Sequence, residues 1–480
     1  MKELPKINKE TLNRCLHFIK ENIIYIPPIL SALLIIFFVA CTIFAGKFTC
    51  DFFSNGLFGD GSTYGFVGQV LQIPEPTEPP ETLPPLGLTV TNRATITVGG
   101  DIIMHMPVIK SGLQADGSYN FEKSFSKIKN YVNRSDYAVL NLETTLGGTD
   151  NGREYSGYPK FNCPDEIVDG AKSAGFDAFL TANNHANDTG AAGFRRTYQA
   201  ITAKGMNVLG TTDTAEKPGY QILDLNGIRI GMIAYTHGSY SASGRPSVNG
   251  LDLDDSVAEL INIFDTGKID TFYSEMEASI AAMKADGAEA IVLLLHWGEQ
   301  YRTTPTDSQM AIAQKMCDLG VDVIAGTHPH VVEPLVMLTS STDETHKTLC
   351  AYSVGNLLSN QRSDNVGVPS GHTEDGILFS FSFVRYSNGQ VFLDSAEALP
   401  IWIQMWKEND VKQYCILPLD NTVSDWKTAL SIDDGALASA KASYERTMAI
   451  IGPGLETVQT TLSEARDARQ IAYDEDPGVG

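Results

Sequence analysis

Cationic residues are scarce in this 480-residue chain: 35 Lys and Arg stand against 58 Asp and Glu, a formal net charge of −23. Nucleic acid and anionic lipid headgroups are polyanions, so such a chain has no general attraction to either, although a local metal site is not excluded. Cysteine forms no framework. The seven thiols, Cys15, Cys41, Cys50, Cys163, Cys317, Cys350 and Cys415, fall into no CxxC or zinc-finger spacing, which argues against a disulfide scaffold and against a thiolate-held metal. No GxxxxGK[ST] loop occurs, so ATP-driven ligation would have to come from a partner. There is no internal repeat.

What the chain does have is material for a proper core, 43% hydrophobic against 19% charged, and enough length for one large domain with appendages. Ile23 to Gly46 reads IIYIPPILSALLIIFFVACTIFAG, an uncharged run long enough to cross about 30 Å of hydrocarbon. A cleaved signal peptide, or a lipoprotein signal ending at Cys41, is the competing reading. The long N-region, the lack of a small-x-small cleavage site and the apolar residues past Cys41 count against both. Lys2, Lys6, Lys9, Arg14 and Lys20 precede the span and only Lys47 closely follows it, which predicts a cytoplasmic N-terminus and an extracytoplasmic main domain. The stretch IPEPTEPPETLPPL, Ile73 to Leu86, favours extended polyproline geometry and reads as a stalk. The expected organisation is a cytoplasmic segment 1–22, a transmembrane helix 23–46, a linker 47–92, a main domain 93–400 and a partly helical extension 401–480.

Within the main domain, short β-branched runs alternate with helical patterns. Thr95 to Val98, Tyr137 to Leu140, Ala178 to Thr181, Ile228 to Tyr235, Ile291 to Leu295 and Val321 to Ala325 read as strands. Pro164 to Ala174, Gly193 to Lys204 and Ser274 to Lys284 read as helices. That alternation predicts an α/β fold. Ile377 to Val384 and Val391 to Leu393 form a hairpin across Ser387-Asn388-Gly389, and Ile401 to Leu417 can add strands. Val423 to Ala472 is mostly helix-forming, with a break expected at Gly452-Pro453-Gly454.

Five strand-like runs end in metal-ligand residue types: Asp101, Glu143, Asn183-Asn184-His185, His296 to Glu299, and His328-Pro329-His330. In open α/β sheets the loops beyond the strand C-termini converge on one crevice, so such endings collect into a site. Of nine histidines, six fall at or just after predicted strand ends: His105, His185, His237, His296, His328 and His330. Any one of them alone would be read as a hydrogen-bonded structural residue. Carboxylate, amide oxygen and imidazole without thiolate suit Mn, Fe or Zn in a hydrolytic centre, and two metals would need one bridging carboxylate.

The ordered motifs GGD, NLE, NNHANDTG, HWGEQY, GTHPHVVEP and YSVGNLL, from Ala94 to about Leu399, resemble the CapA family of capsule and poly-γ-glutamate biosynthesis proteins, themselves similar to calcineurin-like metallophosphoesterases. The resemblance implies a four-layer α/β/β/α sandwich with Asp101 on a first metal and Glu143 as the bridge. Asn184, His296 and His328 would complete the second metal, and His330 would return to the first. It implies His185 as general acid or oxyanion stabiliser, oriented by Asp188. Ile103 stands where the phosphoesterase pattern places a His, which leaves open a weakened first metal, one metal instead of two, or no hydrolysis. His105 is the available substitute. Lys160, Arg153 and Arg302 are candidate anion contacts, with Asn356 in a strand-end turn as a further substrate contact. The implied partner is an anionic polymer such as poly-γ-glutamate or a phosphoester substrate, alongside other membrane proteins of a polymer-synthesis complex. Two functions follow: a metal-dependent hydrolase, or a non-catalytic component that assembles or anchors the polymer.

Overall fold

The computed structural model describes residues 87–242, 244–367 and 370–475. The apolar span 23–46 and the Pro-rich linker up to residue 86 lie outside the described residues. No helix among the described residues is long and apolar enough to cross a membrane.

The strands, in chain order, are β1 (Val90–Ile102), β2 (Tyr137–Leu142), β3 (Ala178–Leu180), β4 (Asn207–Leu209), β5 (Tyr220–Leu225), β6 (Ile228–His237), β7 (Ser239–Tyr240), β8 (Pro246–Val248), β9 (Leu251–Asp252) and β10 (Ile263–Phe264). After them come β11 (Ala290–His296), β12 (Val323–Thr327), β13 (Leu335–Thr339), β14 (Lys347–Ala351), β15 (Asn356–Leu358), β16 (Asp375–Tyr386), β17 (Val391–Glu408) and β18 (Val411–Pro418). The helices are α1 (Met106–Gly112), α2 (Glu122–Phe125), α3 (Lys129–Val132), α4 (Glu166–Ala174), α5 (Gly190–Ala203), α6 (Ile269–Ala285), α7 (Asp307–Asp318), α8 (Trp426–Leu430) and α9 (Asp434–Glu475).

An eight-stranded sheet runs β18-β17-β16-β1-β2-β3-β4, with β15 also paired to β1. A seven-stranded sheet runs β10-β6-β11-β12-β14-β13, with β5 also paired to β6. Both are mixed: β1 to β4 are mutually parallel and β16 to β18 antiparallel, while β6, β11, β12 and β14 are parallel and β13 is antiparallel to β14.

β11 explains how the two sheets stack. Successive side chains of a strand point to opposite faces, so an unbroken apolar strand is buried on both. Ala290, Val292 and Leu294 enter a core shared with Ile96 and Val98 of β1 and with Phe379, Phe381 and Phe383 of β16. Ile291, Leu293 and Leu295 turn the other way, onto Phe272, Met276 and Ile280 of α6 and Ile312 and Met316 of α7. The outer face of the first sheet is likewise covered, by Val108 of α1, Phe125 of α2 and Ile167, Val168 and Ala171 of α4. The order of layers is helix, sheet, sheet, helix.

Two expectations about the C-terminal region need correction. The boundary drawn at Pro400 falls inside β17, which continues to Glu408 and pairs along its length with β16 and β18. The extension therefore completes the first sheet. The break expected at Pro453 does not occur, and α9 runs through it. Ile451, Val458 and Leu462 of α9 enter the core between the sheets, and Gly454 lies so close to β13 that a Cβ there would be 1.8 Å from the Leu335 carbonyl oxygen. Tertiary burial outweighs the roughly 3 kcal/mol that an internal proline costs.

Candidate metal centre

Each predicted ligand reaches the site from the C-terminal end of a parallel strand. Asp101 closes β1, where its neighbours in register are Asn141 on β2 and Asn356 on β15. Its backbone N–H donates to the Gly355 carbonyl at 3.0 Å. That approach requires a glycine before it: a Cβ on Gly100 would sit 1.9 Å from the Gly355 oxygen. Gly326, before Thr327 and His328, is constrained in the same way, 1.9 Å from the Tyr352 oxygen. Glu143 follows β2, Asn184 follows β3, His296 ends β11, and His328 and His330 follow β12.

The six side chains converge. Asp101 Oδ2 accepts from His330 Nδ1 at 3.0 Å and from the His328 backbone N–H at 3.2 Å, while its Oδ1 accepts from Asn141 Nδ2 at 2.7 Å. His296 Nε2 lies 2.9 Å from Asn184 Oδ1 and 3.1 Å from His328 Nδ1. Glu143 Oε1 is 3.7 Å from both His296 Nε2 and His330 Nε2. Two groups have metal-holding proximity, Glu143 with His296 and His328, and Asp101 with Glu143 and His330, their ligand atoms lying within 4.8 Å of one another in each group. Glu143 is common to both.

The donor set fits divalent cations. Both Glu143 carboxylate oxygens are buried without a hydrogen-bond partner among the described residues, a state that costs several kcal/mol unless something positive or protic meets them. Burial, with the Asp101 and Asp188 carboxylates adding to it, pushes the Glu143 carboxyl well above its ordinary range. Burial also lowers the imidazoles, His328 to about 3 and His296 well below its ordinary value, with neighbouring histidines adding to the effect. Neutral imidazole and amide oxygen are the forms that ligate, and a carboxyl held protonated by its surroundings releases that proton when a metal binds. His328 and His330 are in the left-handed region, at φ 96° and 59°, strain of the kind stored at functional sites.

Beside the Glu143 face lies an open cavity of about 370 Å³, lined among others by Ile103, His105, Phe161, His185, Tyr301 and His330. His185 Nδ1 is 2.7 Å from Asp188 Oδ2, which also accepts from the Phe161 N–H at 2.6 Å. That arrangement orients the ring and leaves Nε2 for the cavity. His105, lowered to about 4 by burial, lines the cavity but belongs to neither metal-holding group; its Nδ1 accepts from the Asn360 N–H at 3.4 Å. Ile103 is buried in the wall.

The predicted anion contacts are not brought to this cavity. Lys160 is exposed and does not line it. Arg153 is turned onto the carbonyls of Gly147 and Thr189, and Arg302 onto Glu299 at 3.3 Å. Asn356 sits behind the site: its amide nitrogen lies within hydrogen-bond distance of the His330 carbonyl, Gln361 Oε1 and the Thr373 carbonyl, so it positions the His330 loop. The family resemblance assigns no role to two functional positions, although Asn183 is among the strand-end residues and Asn141 lies in the NLE motif. Asn141 joins Asp101 to His296, its Nδ2 being 3.3 Å from His296 Nδ1, and Asn183 ties Asn141 Oδ1 and the Leu142 carbonyl to the His185 N–H. Their signal was a fully buried polar residue inside or just after an apolar strand, a residue that must have partners.

Residues 95–361 match the family described as the bacterial capsule synthesis protein PGA_cap. The capsule biosynthesis protein CapA of Bacillus anthracis is 26% identical over 58% of this chain and 63% of its own length. The PGA biosynthesis protein CapA of Bacillus subtilis (strain 168) is 25% identical over 70% of this chain and 80% of its own. A Staphylococcus aureus 5'-nucleotidase candidate, solved with α-ketoglutarate, has a TM-score of 0.39 at 12% identity, covering 74% of this chain and 58% of that one, a likeness too slight to carry argument.

Proposed function

Since the chain belongs to the PGA_cap family of bacterial capsule synthesis proteins, we propose that it serves capsule or poly-γ-glutamate biosynthesis through a two-metal, phosphoesterase-like hydrolytic centre in a metallophosphoesterase-type sandwich. The observation that carries this reading is Glu143, a buried carboxylate with two unpartnered oxygens shared by two groups of donors. Asp101, Glu143 and His330 would hold one cation, and Glu143, Asn184, His296 and His328 the other. Mn, Fe or Zn bound there supplies Lewis acidity and an acidified water. The chain itself does the rest. Asp188 holds the His185 ring so that Nε2 can give a proton to the leaving oxygen or nitrogen, and Phe161 packs edge-on against that ring at 4.7 Å. The apolar run at 23–46 and the Lys and Arg before it support membrane anchoring with the centre outside the cell, where an anionic polymer and the other proteins of its synthesis would be met.

The test is elemental analysis of the protein after exposure to Mn²⁺ and Zn²⁺, with bis(p-nitrophenyl) phosphate turnover of wild type and His185→Ala. Expected are two metals per chain in both, and turnover about 10²-fold lower in the variant. Wild-type protein that binds no metal overturns the reading. One observation favours a second function, a non-catalytic assembly or anchoring component: Ile103 supplies no imidazole to the Asp101 side. Metal binding without any turnover would select it.

A further inference from the structure

The metal centre has a second open cavity, of about 390 Å³, lined by Asn184, His237, Ser239, Ser247, Asn249, Gln300, His296 and His328, together with Gly238 and Gly250. The two cavities meet different halves of the ligand set. The first touches Glu143 and His330, with the proton donor His185 beside them, and the second Asn184, His296 and His328. Gln300, exposed in the turn after β11, lines both. Each reaches the surface, the first past exposed Tyr158 and Asn365 and the second past exposed Asn249 and Gly250. The small sheet β7 to β9 builds the second wall.

Charge is distributed in the same way in the two cavities. Among the described residues no Lys, Arg or Asp lines either cavity, and Glu143 of the centre is the single carboxylate. The first arm instead presents aromatic rings, Tyr158, Phe161 and Tyr301, beside the amides of Asn360, Gln361 and Asn365, and the second presents hydroxyls, amides and the His237 imidazole. A ligand with anionic groups along its whole length would find amide and hydroxyl donors but no cationic side chain in either arm. A ligand with one anionic link between uncharged, hydroxyl-rich units would set the link at the cations and the units in the arms. The apolar faces of sugar rings suit aromatic walls, and their hydroxyls can both donate and accept.

Resting on the two-metal reading above, we propose that the substrate is a phosphodiester inside a neutral glycan or polyol chain, bound across the centre with one chain segment in each cavity. Hydrolysis then adds water across one P–O bond: the hydroxyl goes to phosphorus, the leaving alkoxide takes a proton, and the products are a phosphomonoester end and a free hydroxyl end. The bond cut is internal to the chain.

Binding of three probes to Mn²⁺-loaded full-length protein tests this by calorimetry: bis(cellobiosyl) phosphate, cellobiosyl methyl phosphate and dimethyl phosphate. The two-armed probe is expected to bind at least about tenfold tighter than the one-armed, and the one-armed tighter than dimethyl phosphate. Tyr158→Ala and Asn249→Gly, exposed positions outside the ligand set, should each weaken the two-armed probe about fivefold and leave dimethyl phosphate unchanged. Equal affinities for all three probes, an Asn249→Gly variant without effect, or tighter binding of a γ-glutamyl octamer than of bis(cellobiosyl) phosphate would each overturn the proposal. Metal content is read on the same samples. A metal-free wild type defeats the two-metal centre itself, whereas metal-bound protein that does not discriminate among the probes defeats only this inference.

Discussion

The two sheets contribute opposite chemistries to one centre. The first supplies oxygen donors, Asp101 from β1, Glu143 after β2 and Asn184 after β3; the second supplies imidazoles, His296 from β11 and His328 and His330 after β12. Burial acts on both in the direction of neutrality, raising the Glu143 carboxyl and lowering His296 and His328. Neither sheet alone holds a mixed ligand set. The contrast teaches that the centre is a property of sheet stacking, so it can form only once the shared core between the sheets has closed.

The strongest way to break that contrast is to remove the one residue both groups share. Glu143→Gln should lower metal affinity at both positions by more than the roughly 10- to 100-fold typical of outer partners, leaving the protein nearly metal-free. His296→Ala strikes one imidazole of one group, and elemental analysis should still find a single metal per chain. Equal stoichiometry in the two variants would mean that Glu143 is not shared. A smaller effect is expected at the seam, where Asn141 of the oxygen-bearing sheet links Asp101 to His296. Asn141→Ala should weaken metal binding about 10- to 100-fold, measured by competition with a chelator, with an unchanged circular dichroism spectrum.

A separate effect, on stability rather than on metal binding, concerns the imidazole-bearing sheet away from the metals. Glu333 is fully buried after β12, with Oε2 accepting from Gln309 Nε2 at 2.7 Å and Oε1 unpartnered. Burial raises it to about 7 from an ordinary 4.5. The folded state thus favours its neutral form, so its stabilising influence is complete below about pH 4.5 and is lost as pH rises through 7. The loss is at most about 3 kcal/mol. Chemical denaturation of wild type and Glu333→Gln should show wild type losing stability relative to the variant between pH 4.5 and pH 8. A difference constant over that range would place the Glu333 carboxylate in a solvated setting.

Much of the fold was legible because it is written in alternation. Ile291 to Leu295 reads as a strand from its apolar run, and the Asn388-Gly389 turn announces the β16-β17 hairpin, with Gly389 at φ 88°. The convergence of Asp101, Glu143, Asn184, His296, His328 and His330 was legible because each follows such a run. What the sequence could not reveal depends on surfaces meeting at long range. Pro453 reads as a helix breaker until α9 is seen buried against β13 and the inter-sheet core. Lys160 and Arg153 read as anion contacts until their local loops direct them elsewhere. The second cavity rests on three short strands, β7 to β9, whose pairing has no periodic signature.

Gly100 and Gly326 carry one further consequence. In each sheet the ligand-bearing strand end rests backbone to backbone against a crossing segment, with no room for even a methyl group between them. Ligand positions are thereby referenced to main-chain hard stops, as parts in a jig are set by its pins, in addition to the core packing that brings the two sheets together. A methyl group at either glycine would push the strand end that carries Asp101 or the His328 loop off its stop even with the core unchanged.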